Sequence, residues 1–567
     1  MDATSPFQQL PGEIRQQIYL AYFSTPDNIY VFDFPSKKLR KSDNSPIDIS
    51  LVATCRAIAK ETRGMAFRLN TIKFNTTYSD ELRILAGRFH MFISERRSAL
   101  KSDFSNRAAS MDPAKLGNVI NRHPVLVPTI EEIKTYGRSP HSGYWADVPS
   151  RVYFASLDAL RAHLASLPPD GLSLQASNDP QCHNGLMVVN NPPRRYDRER
   201  SEKLVGFEIN PWDIPLEYEL DDNMLEDAAW VELPTHLDKR YHAYERCRYI
   251  DNGKYRFSAT ATAIYFLRRI MPETRCLVQN IMIDEDYRSV AFPECHALGL
   301  IPFCQENPSL RIIRGASLWG NIFLSRMDEP HWQRHIRLTF HCLDPDPPAA
   351  DELPLGDIVQ VVAAWMSEAG ILTSMGMPVG QFTFFMDGDP FPEEASEIFR
   401  TELQEAALLQ ETVCKAPRPG RWCAYVQRIM DHFLFDDFPR LLADLSNNRE
   451  SGIIQCNFDP GTSVGSPDEI LSTHPEWSWQ EWEYELWDHF EGRDDTLLPG
   501  FDQMVLHNNM TETYCQKFPN GPPRGSVGDY PDWDDNQTQP MPDLPVQAGD
   551  PEEADDTEES DAHEADV

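Results

Sequence analysis

The segment CLVQNIMIDED, residues 276–286, has the pattern of a buried β-strand, with Ile281 and Ile283 on one face. A second strand-like segment, SLRIIRGASLW, occupies residues 309–319. Between them, CHALGLIPFCQEN at residues 295–307 predicts a short helix that ends at Pro308. A strand, a helix and a second strand in succession are typical of α/β domains, in which such strands lie parallel in one sheet.

The same alternation continues on both sides of this segment. Helices are predicted at residues 258–270 and 357–370, and strands at 335–343 and 380–388. Asp357 can cap the start of the second helix, and Gly370 can close its end. Helix and strand thus alternate at intervals of roughly thirty residues, which predicts an α/β domain with a mostly parallel sheet. The order also fits an irregular leucine-rich-like solenoid, although we find no strict repeat.

The N-terminal segment LPGEIRQQIY, residues 10–19, predicts a short amphipathic helix. Pro11 suits the first helical position, because the N–H group that proline lacks would have no partner there. Ile14, Ile18 and Tyr22 follow at helical spacing and form one apolar stripe. Any helical domain could use such a helix, so the segment taken alone says little about function.

A second helix is predicted over residues 50–69, followed by a short strand in which Ile72 and Phe74 alternate with polar residues. Neither N-terminal helix can bury its apolar stripe alone, so we expect the two to pack together. The intervening residues 24–48 contain a candidate strand, NIYVFDF, and a polar loop.

Together these segments resemble the F-box-like N-terminal module of many fungal proteins. In that family, Leu-Pro-x-Glu-Ile-Arg-x-x-Ile-Tyr is followed by Leu-x-x-Thr-Cys-Arg-x-Ile-x-x-Glu and a short strand. Residues 271–319 also resemble a stretch of the same proteins. The matching N-terminal positions are Leu10, Pro11, Glu13, Ile14, Arg15, Ile18, Tyr19, Thr54, Cys55, Arg56, Ile58, Glu61, Phe67, Asn70, Thr71, Ile72 and Phe74.

The resemblance implies binding to the adaptor of a cullin-type ubiquitin ligase. Leu10, Pro11, Ile14 and Ile18 match the positions that would contact the adaptor. The same side chains could instead form only the core of the module, and the sequence leaves both interpretations open. The chain departs from a compact F-box because residues 24–48 separate the two motifs, and this insertion could displace the helix that meets the adaptor.

The predicted fold class is mixed α/β, or α+β. The expected regions are an F-box-like helical module at residues 1–100, a helical and loop connecting region at 101–203, a central α/β domain at 204–390, a helical C-terminal region at 391–518 and a disordered acidic tail at 519–567. A chain of 567 residues is too long for a single core, which favours several domains.

Composition narrows the function classes. The net charge of −36 disfavours general nucleic-acid binding, because such a surface repels phosphate backbones. No apolar run approaches ~18 residues, and the N-terminus lacks the pattern of a secretory signal, so we expect no membrane association. The eleven cysteines are scattered without a CxxC pair, which favours free thiols in a reducing compartment. These features predict a cytoplasmic or nuclear protein.

Residues that could carry catalysis or bind a metal are present but poorly arranged. GTSVG at residues 461–465 matches the G-x-S-x-G pattern around Ser463, but Asp459-Pro460 and Ser466-Pro467 flank it where a strand and a helix would be required. A metal site would draw on His331, His335, His341, Cys342, Cys295, His296 and Cys304, whose spacing fits no common zinc module. DGDPFPEEASEI begins like a calcium loop but ends on Ile398 in place of glutamate. We therefore predict no metal site and no cofactor.

The sequence thus predicts a non-enzymatic interaction protein. By resemblance it would be a substrate receptor of a cullin-type ubiquitin ligase, with the N-terminal module binding the adaptor and the body binding a client protein. The alternative is a scaffold or structural protein whose F-box-like unit no longer binds an adaptor. A hydrolase that uses Ser463 is a weaker third hypothesis.

The acidic tail generates a first prediction. Residues 525–567 contain fifteen acidic residues and no Lys or Arg, and the end of this segment, residues 549–567, is nearly free of large apolar side chains. Truncation after Arg524 is therefore expected to leave the melting temperature nearly unchanged, because so acidic a segment has too little apolar surface to join a core. Calorimetry of the full-length and truncated chains measures this, and a large loss of stability would show that the tail is docked.

Overall fold

The structure, a computed structural model, describes residues 6–110, 203–220 except 205, 254–324, 352–416 and 437–478, together with 481, 482, 485, 494–496, 498 and 501–509. The strand predicted at residues 335–343, the acidic tail and most of the connecting region lie outside the described residues. The candidate metal ligands His331, His335, His341 and Cys342 lie outside them as well.

Helices and strands alternate along most of the described chain. The strands are β1 Ile29–Asp33, β2 Lys38–Lys41, β3 Thr71–Asn75, β4 Asn280–Glu285, β5 Arg311–Ser317, β6 Glu352–Pro354, β7 Phe382–Asp387, β8 Ile454–Cys456 and β9 Asp494–Thr496. The helices are α1 Gly12–Phe23, α2 Arg56–Glu61, α3 Met65–Leu69, α4 Asp80–Ser110, α5 Ala259–Arg269, α6 Pro272–Arg275, α7 Ile301–Glu306, α8 Leu355–Ile371, α9 Pro392–Ile398, α10 Gln404–Lys415, α11 Phe438–Asn447, α12 Pro467–Thr473 and α13 Phe501–Asn509. Short 3₁₀ segments lie at Pro6–Gln9, Glu217–Leu220, Pro293–Leu300 and Ile322–Leu324, and a π-helical segment at Phe399–Leu403.

A seven-stranded sheet in the order β2-β1-β3-β4-β5-β7-β8 organises the fold. Only β2 runs antiparallel to its neighbour, and all the other pairs are parallel. The prediction of a mixed α/β fold with a mostly parallel sheet is therefore confirmed. From β1 onwards, each parallel strand joins the same edge of the sheet in chain order. Strands β6 and β9 pair separately, antiparallel to one another.

One face of the sheet is buried and forms the main core. Its inward side chains lie opposite one another across the strands, as in the row Ile72, Ile281, Ile312 and Phe382. Helix α5 packs against β3 and β4, and α8 packs against β8. The other face carries partly exposed side chains, so the strands have the alternating pattern of a half-buried sheet. Within the described residues, no helix combines the length and apolarity that a membrane span requires.

A buried ion pair lies at the centre of the sheet. The Glu285 carboxylate at the end of β4 accepts hydrogen bonds from Arg314 Nη2 on β5 at 2.9 Å and from Arg314 Nε at 3.2 Å. Both side chains are almost completely excluded from solvent. The same carboxylate accepts from the backbone N–H groups of Ala259 and Thr260, at the first turn of α5. The pair therefore joins two strands to the start of a helix.

Arg314 also makes contacts that satisfy its remaining donors. Its Nη groups donate to the backbone carbonyls of Pro293 and Glu294, and its guanidinium lies 4.6 Å from the ring centre of Trp365 on α8. A buried ion pair offsets its desolvation cost only when its other polar atoms are also bonded, and this one meets that condition.

The predicted second helix, residues 50–69, is wrong in one respect. The chain forms two short helices, α2 and α3, with Gly64 between them at a φ of 71°. A residue in this left-handed region ends a helix, and glycine adopts it without steric cost. Helix α4 continues to Ser110, into the region predicted to connect the N-terminal module to the central domain.

The sheet crosses the predicted regional boundaries. Strands β1 to β3 come from the N-terminal module, β4, β5 and β7 from the central region, and β8 from the C-terminal region. Strands β1 and β3 coincide with the two strands predicted in the N-terminal module, whereas β8 lies in a region predicted to be helical. Short strands such as β8, with three residues, carry too few alternations to be recognised by pattern.

The central ion pair generates a prediction. Arg314→Met is expected to destabilise the fold by about 3–5 kcal/mol, because it leaves the Glu285 carboxylate buried beside fewer donors. The matched control is Arg311→Met on the same strand, whose side chain is exposed and whose loss should cost about 0.5 kcal/mol or less. Urea unfolding of both variants measures the difference, and equal midpoints would contradict the assignment.

Candidate protein-interaction site

Helix α1 has two apolar faces with different environments. Tyr19 and Phe23 are buried and pack with Ile58 of α2 and Met65 of α3 in a small core separate from the main one. The opposite face carries Ile14 and Ile18, which are 42% and 38% exposed. The helix thus needs only one of its apolar faces to fold, and the other stays in contact with solvent.

Three of the four residues predicted to contact an adaptor, Pro11, Ile14 and Ile18, are exposed, and the fourth, Leu10, is half-buried. We call Pro11, Ile14 and Ile18 the α1 stripe. The interpretation in which all four form only the core of the module does not fit their exposure. Tyr22, which the pattern assigns to the same stripe, is half-buried, and its hydroxyl lies 3.2 Å from Ser50 Oγ.

A polar network fixes α1 against α2. The Arg15 guanidinium makes a bidentate pair with the Glu61 carboxylate, with distances of 3.0 and 2.9 Å, and its Nη1 donates to the Leu10 carbonyl at 2.6 Å. The Tyr19 hydroxyl donates to the same carboxylate at 2.8 Å. Arg15, Tyr19 and Glu61 all belong to the family-like motifs, and here they hold the α1 stripe in a defined orientation.

Asn70 joins this small core to the sheet. Its side chain is fully buried, and its Nδ2 donates to the carbonyls of Phe23 and Ala66, at the ends of α1 and in α3. Its Oδ1 accepts from the backbone N–H and the hydroxyl of Thr25. Because β3 begins at the next residue, these bonds attach the helical module directly to a sheet strand.

The exposed face of the sheet is a second candidate surface. We define the open sheet face by Lys73, Met282, Ile313 and Thr383, which lie opposite one another on β3, β4, β5 and β7, together with Phe385 of β7. Ile313 at its centre is 50% exposed. Lys73 Nζ pairs with Asp284 at 2.8 Å beside this row. Apolar side chains rimmed by charges are typical of surfaces that bind other proteins.

A buried serine–histidine pair, which sequence reasoning missed, has a structural role. Ser258 Oγ lies 2.6 Å from His296 Nδ1, and His296 Nε2 donates to the Ala291 carbonyl at 2.7 Å. Burial lowers the pKa of His296 to about 3, so the ring is neutral and its Nδ1 accepts from the serine hydroxyl. Ser258 Oγ also accepts from the Ala261 N–H group and caps α5. Both side chains are buried, so this pair orders the helix start and offers no surface to a substrate.

The other candidate catalytic and metal-binding residues do not converge. Ser463 lies in an exposed loop, and its hydroxyl donates to the Gly465 carbonyl at 3.1 Å. Cys295 and Cys304 are buried, and burial raises the pKa of the Cys304 thiol to about 12. Asp387, at the start of the calcium-like segment, accepts from the Asp389 N–H group and Asn457 Nδ2. In the part of the chain that the structure describes, no group of three or more metal-binding side chains comes together.

The polar network of α1 generates a pH prediction. The Arg15 guanidinium, and then the Tyr19 hydroxyl, lower the pKa of Glu61 below its usual value of 4.5. A carboxylate with a lowered pKa contributes stability that is present above its unfolded-state pKa and is lost as the pH falls through the folded-state pKa. Glu61→Gln is therefore expected to lower the melting temperature at neutral pH and to have little effect near pH ~3. Glu13→Gln on the exposed part of α1 is the control. A melting temperature of Glu61→Gln that is lowered equally at neutral pH and near pH ~3 would contradict the prediction.

Comparison with known proteins gives no match: no protein-family model, no curated protein and no solved structure matches the chain. The α1 stripe and the open sheet face are the surfaces whose geometry favours a function.

Proposed function

We propose that the protein is a non-enzymatic interaction protein that binds a ubiquitin-ligase adaptor through an F-box-like module and a client protein through the body of the fold. The observation that carries the proposal is the α1 stripe. Ile14 and Ile18 remain exposed on a helix whose opposite face already supplies Tyr19 and Phe23 to a core. Exposed apolar side chains that the fold does not require are a common feature of binding surfaces.

The arrangement of the module supports adaptor binding. The Arg15–Glu61 pair and the Asn70 bonds hold the helix rigidly, so a partner would meet a surface that is already ordered. Rigid surfaces bind with a smaller loss of conformational entropy than mobile ones. Leu10, the half-buried fourth position, is fixed through its carbonyl by Arg15. We assign Pro11, Ile14 and Ile18 to direct contact and Leu10 to the edge of the contact.

The insertion between the two motifs does not remove this surface. Residues 24–48 contribute β1 and β2, which extend the sheet beyond β3. Ile14 and Ile18 stay exposed in the presence of this segment. The departure from a compact F-box therefore changes what the module attaches to and leaves the α1 stripe accessible.

The open sheet face is the surface that we assign to the client. It lies on strands of the body, and its central Ile313 and neighbouring Met282 are apolar, whereas Lys73 and Asp284 provide charge at its rim. Side chains on strands keep fixed spacings, which gives a surface of this kind specificity through shape and charge. Its occupant would be a folded protein or an extended segment with complementary apolar groups.

The adaptor proposal is tested with separate Ile14→Asp and Ile18→Asp variants. Each is expected to keep the wild-type melting temperature, because the substituted side chain faces solvent, and to lose at least tenfold in affinity for the purified adaptor, because a charge would enter an apolar interface. Gln16→Asp places the same charge on the same helix away from the stripe and is expected to bind normally. Surface plasmon resonance with the purified adaptor and thermal unfolding of each variant provide the measurements.

The alternative function, a scaffold without an adaptor, makes the opposite prediction. If wild-type protein shows no binding to the adaptor, the ubiquitin-ligase proposal is wrong and the module serves only to attach α1 to the sheet. If Ile14→Asp and Ile18→Asp unfold the chain, the stripe belongs to the core. Phe23→Asp, which places a carboxylate in the buried face, is the positive control for unfolding.

A further inference from the structure

A small cavity lies where the chain before α5, the loop after β4 and the end of α13 meet. Its lining residues are Lys254, Tyr255, Arg256, Arg288, Ser289, Val290 and Asn509. The space open to a water-sized atom is about 10 Å³, which is close to the room required by one oxygen atom. Lys254, Arg256 and Arg288 give the cavity lining three basic side chains, although the net charge of the chain is −36.

Part of this charge has a structural role. Lys254 Nζ donates to the His507 carbonyl at 3.0 Å, and Arg256 Nη2 donates to the Asn508 carbonyl at 2.5 Å. Cations that bond the last carbonyls of a helix are favourable, because those carbonyls have no partner within the helix. These two hydrogen bonds attach Lys254 and Arg256 to the end of α13 and hold that end beside the cavity.

The donors that remain point to a ligand. Among the residues that the structure describes, Arg256 Nη1, Ser289 Oγ and Asn509 Nδ2 are buried and have no hydrogen-bond partner. Arg256 and Ser289 are only 6% and 7% exposed, so bulk water does not solvate them. Buried donors without a partner are rare in folded proteins, and three at one cavity favour a site for an acceptor.

The guanidinium of Arg256 is held in position for such an acceptor. It lies 4.7 Å from the ring centre of Tyr287 and 5.6 Å from that of Tyr78. Burial lowers its pKa, and the nearby Asp286 opposes this effect, but Asp286 already accepts a hydrogen bond from Thr76. A fixed arginine beside a hydroxyl and an amide is a suitable environment for an anionic oxygen.

We propose that this cavity binds one carboxylate group, supplied by a small organic acid or by an acidic peptide. One carboxylate oxygen accepts from Arg256 Nη1, Ser289 Oγ and Asn509 Nδ2, and the rest of the group extends towards the partly exposed Lys254 and Tyr255. We choose a carboxylate over phosphate because it has fewer oxygens to satisfy, and the cavity has room for one oxygen atom beside three donors without a partner. The site is independent of the α1 stripe and the open sheet face.

The experiment is a calorimetric titration of the full chain with acetate, with chloride and phosphate at equal ionic strength as comparisons. Two blocked peptides that differ only by Glu or Gln distinguish an acidic peptide from a free acid as the source. Acetate or the Glu peptide is expected to bind, and Ser289→Ala is expected to weaken binding about tenfold, because a hydrogen bond to a charged group is lost. Whichever binds more tightly, acetate or the Glu peptide, shows whether a small organic acid or an acidic peptide supplies the carboxylate.

Asn509→Asp gives the sharper test, because it introduces a carboxylate of the chain beside Arg256. Binding of acetate is expected to be lost, while the melting temperature without ligand rises. Asn508→Asp is the matched control, since it adds the same charge one residue away from the cavity lining, and it is expected to retain binding. Three results would overturn the proposal: neither acetate nor the Glu peptide binds, phosphate or chloride binds more strongly than acetate, or binding is unchanged in Ser289→Ala and Asn509→Asp. In each case we would assign the cavity to water.

Discussion

The buried pair of Glu285 and Arg314 is the interaction on which the centre of the fold depends. A carboxylate placed in an apolar core is strongly unfavourable unless its oxygens are fully bonded. Here the acceptors are satisfied by an arginine on the next strand and by the first N–H groups of α5. The helix can begin at only one position relative to the sheet if it is to supply those donors. Arg314 in turn donates to the carbonyl of Pro293, at the start of the 3₁₀ segment Pro293–Leu300, and its guanidinium contacts the ring of Trp365 on α8. The elements around the centre of the sheet therefore share one geometric constraint.

The N-terminal helices follow a different principle. Their core is small, with Tyr19, Phe23, Ile58 and Met65 as its fully buried members, and it is supplemented by hydrogen bonds at its edges. Asn70 and the Arg15–Glu61 pair provide order that so small an apolar core could not provide alone. As a result, the twelve-residue helix α1 packs through one face while Ile14 and Ile18 on the other stay exposed.

The sequence predicts the strands of the central sheet well, because their alternation is strong. Ile281 and Ile283 are correctly placed on the buried face, and β7 lies within the predicted segment. The same alternation puts Glu285 on the face of Ile281 and Ile283, apart from Asp284 and Asp286. It cannot show that Arg314 and the first N–H groups of α5 bond the buried carboxylate. The acceptor that Arg256, Ser289 and Asn509 lack is equally invisible in the sequence, because these residues are brought together from distant parts of the chain.

The α1 stripe shows what periodicity leaves undecided. Ile14, Ile18 and Tyr22 have the expected spacing for a buried face, and yet Tyr19 and Phe23 occupy the core. The helix is apolar on more than one side, so periodicity alone cannot identify the buried one. There tertiary packing, and not local preference, decides which side of the helix is buried. The break at Gly64 has a local cause, since glycine adopts a positive φ while apolar residues continue at nearly helical spacing across it.

The parallel strands occupy the sheet in the order in which they occur in the chain. During synthesis, each new strand can therefore find its neighbour already present at the growing edge, and no later strand has to enter between two earlier ones. The connections between strands are also free to lengthen, because the entropic cost of closing a loop rises only slowly with its length. Strands β3 and β4 are direct neighbours although residues 76–279 separate them. A sheet built in this way can acquire new segments between its strands while its core register stays the same.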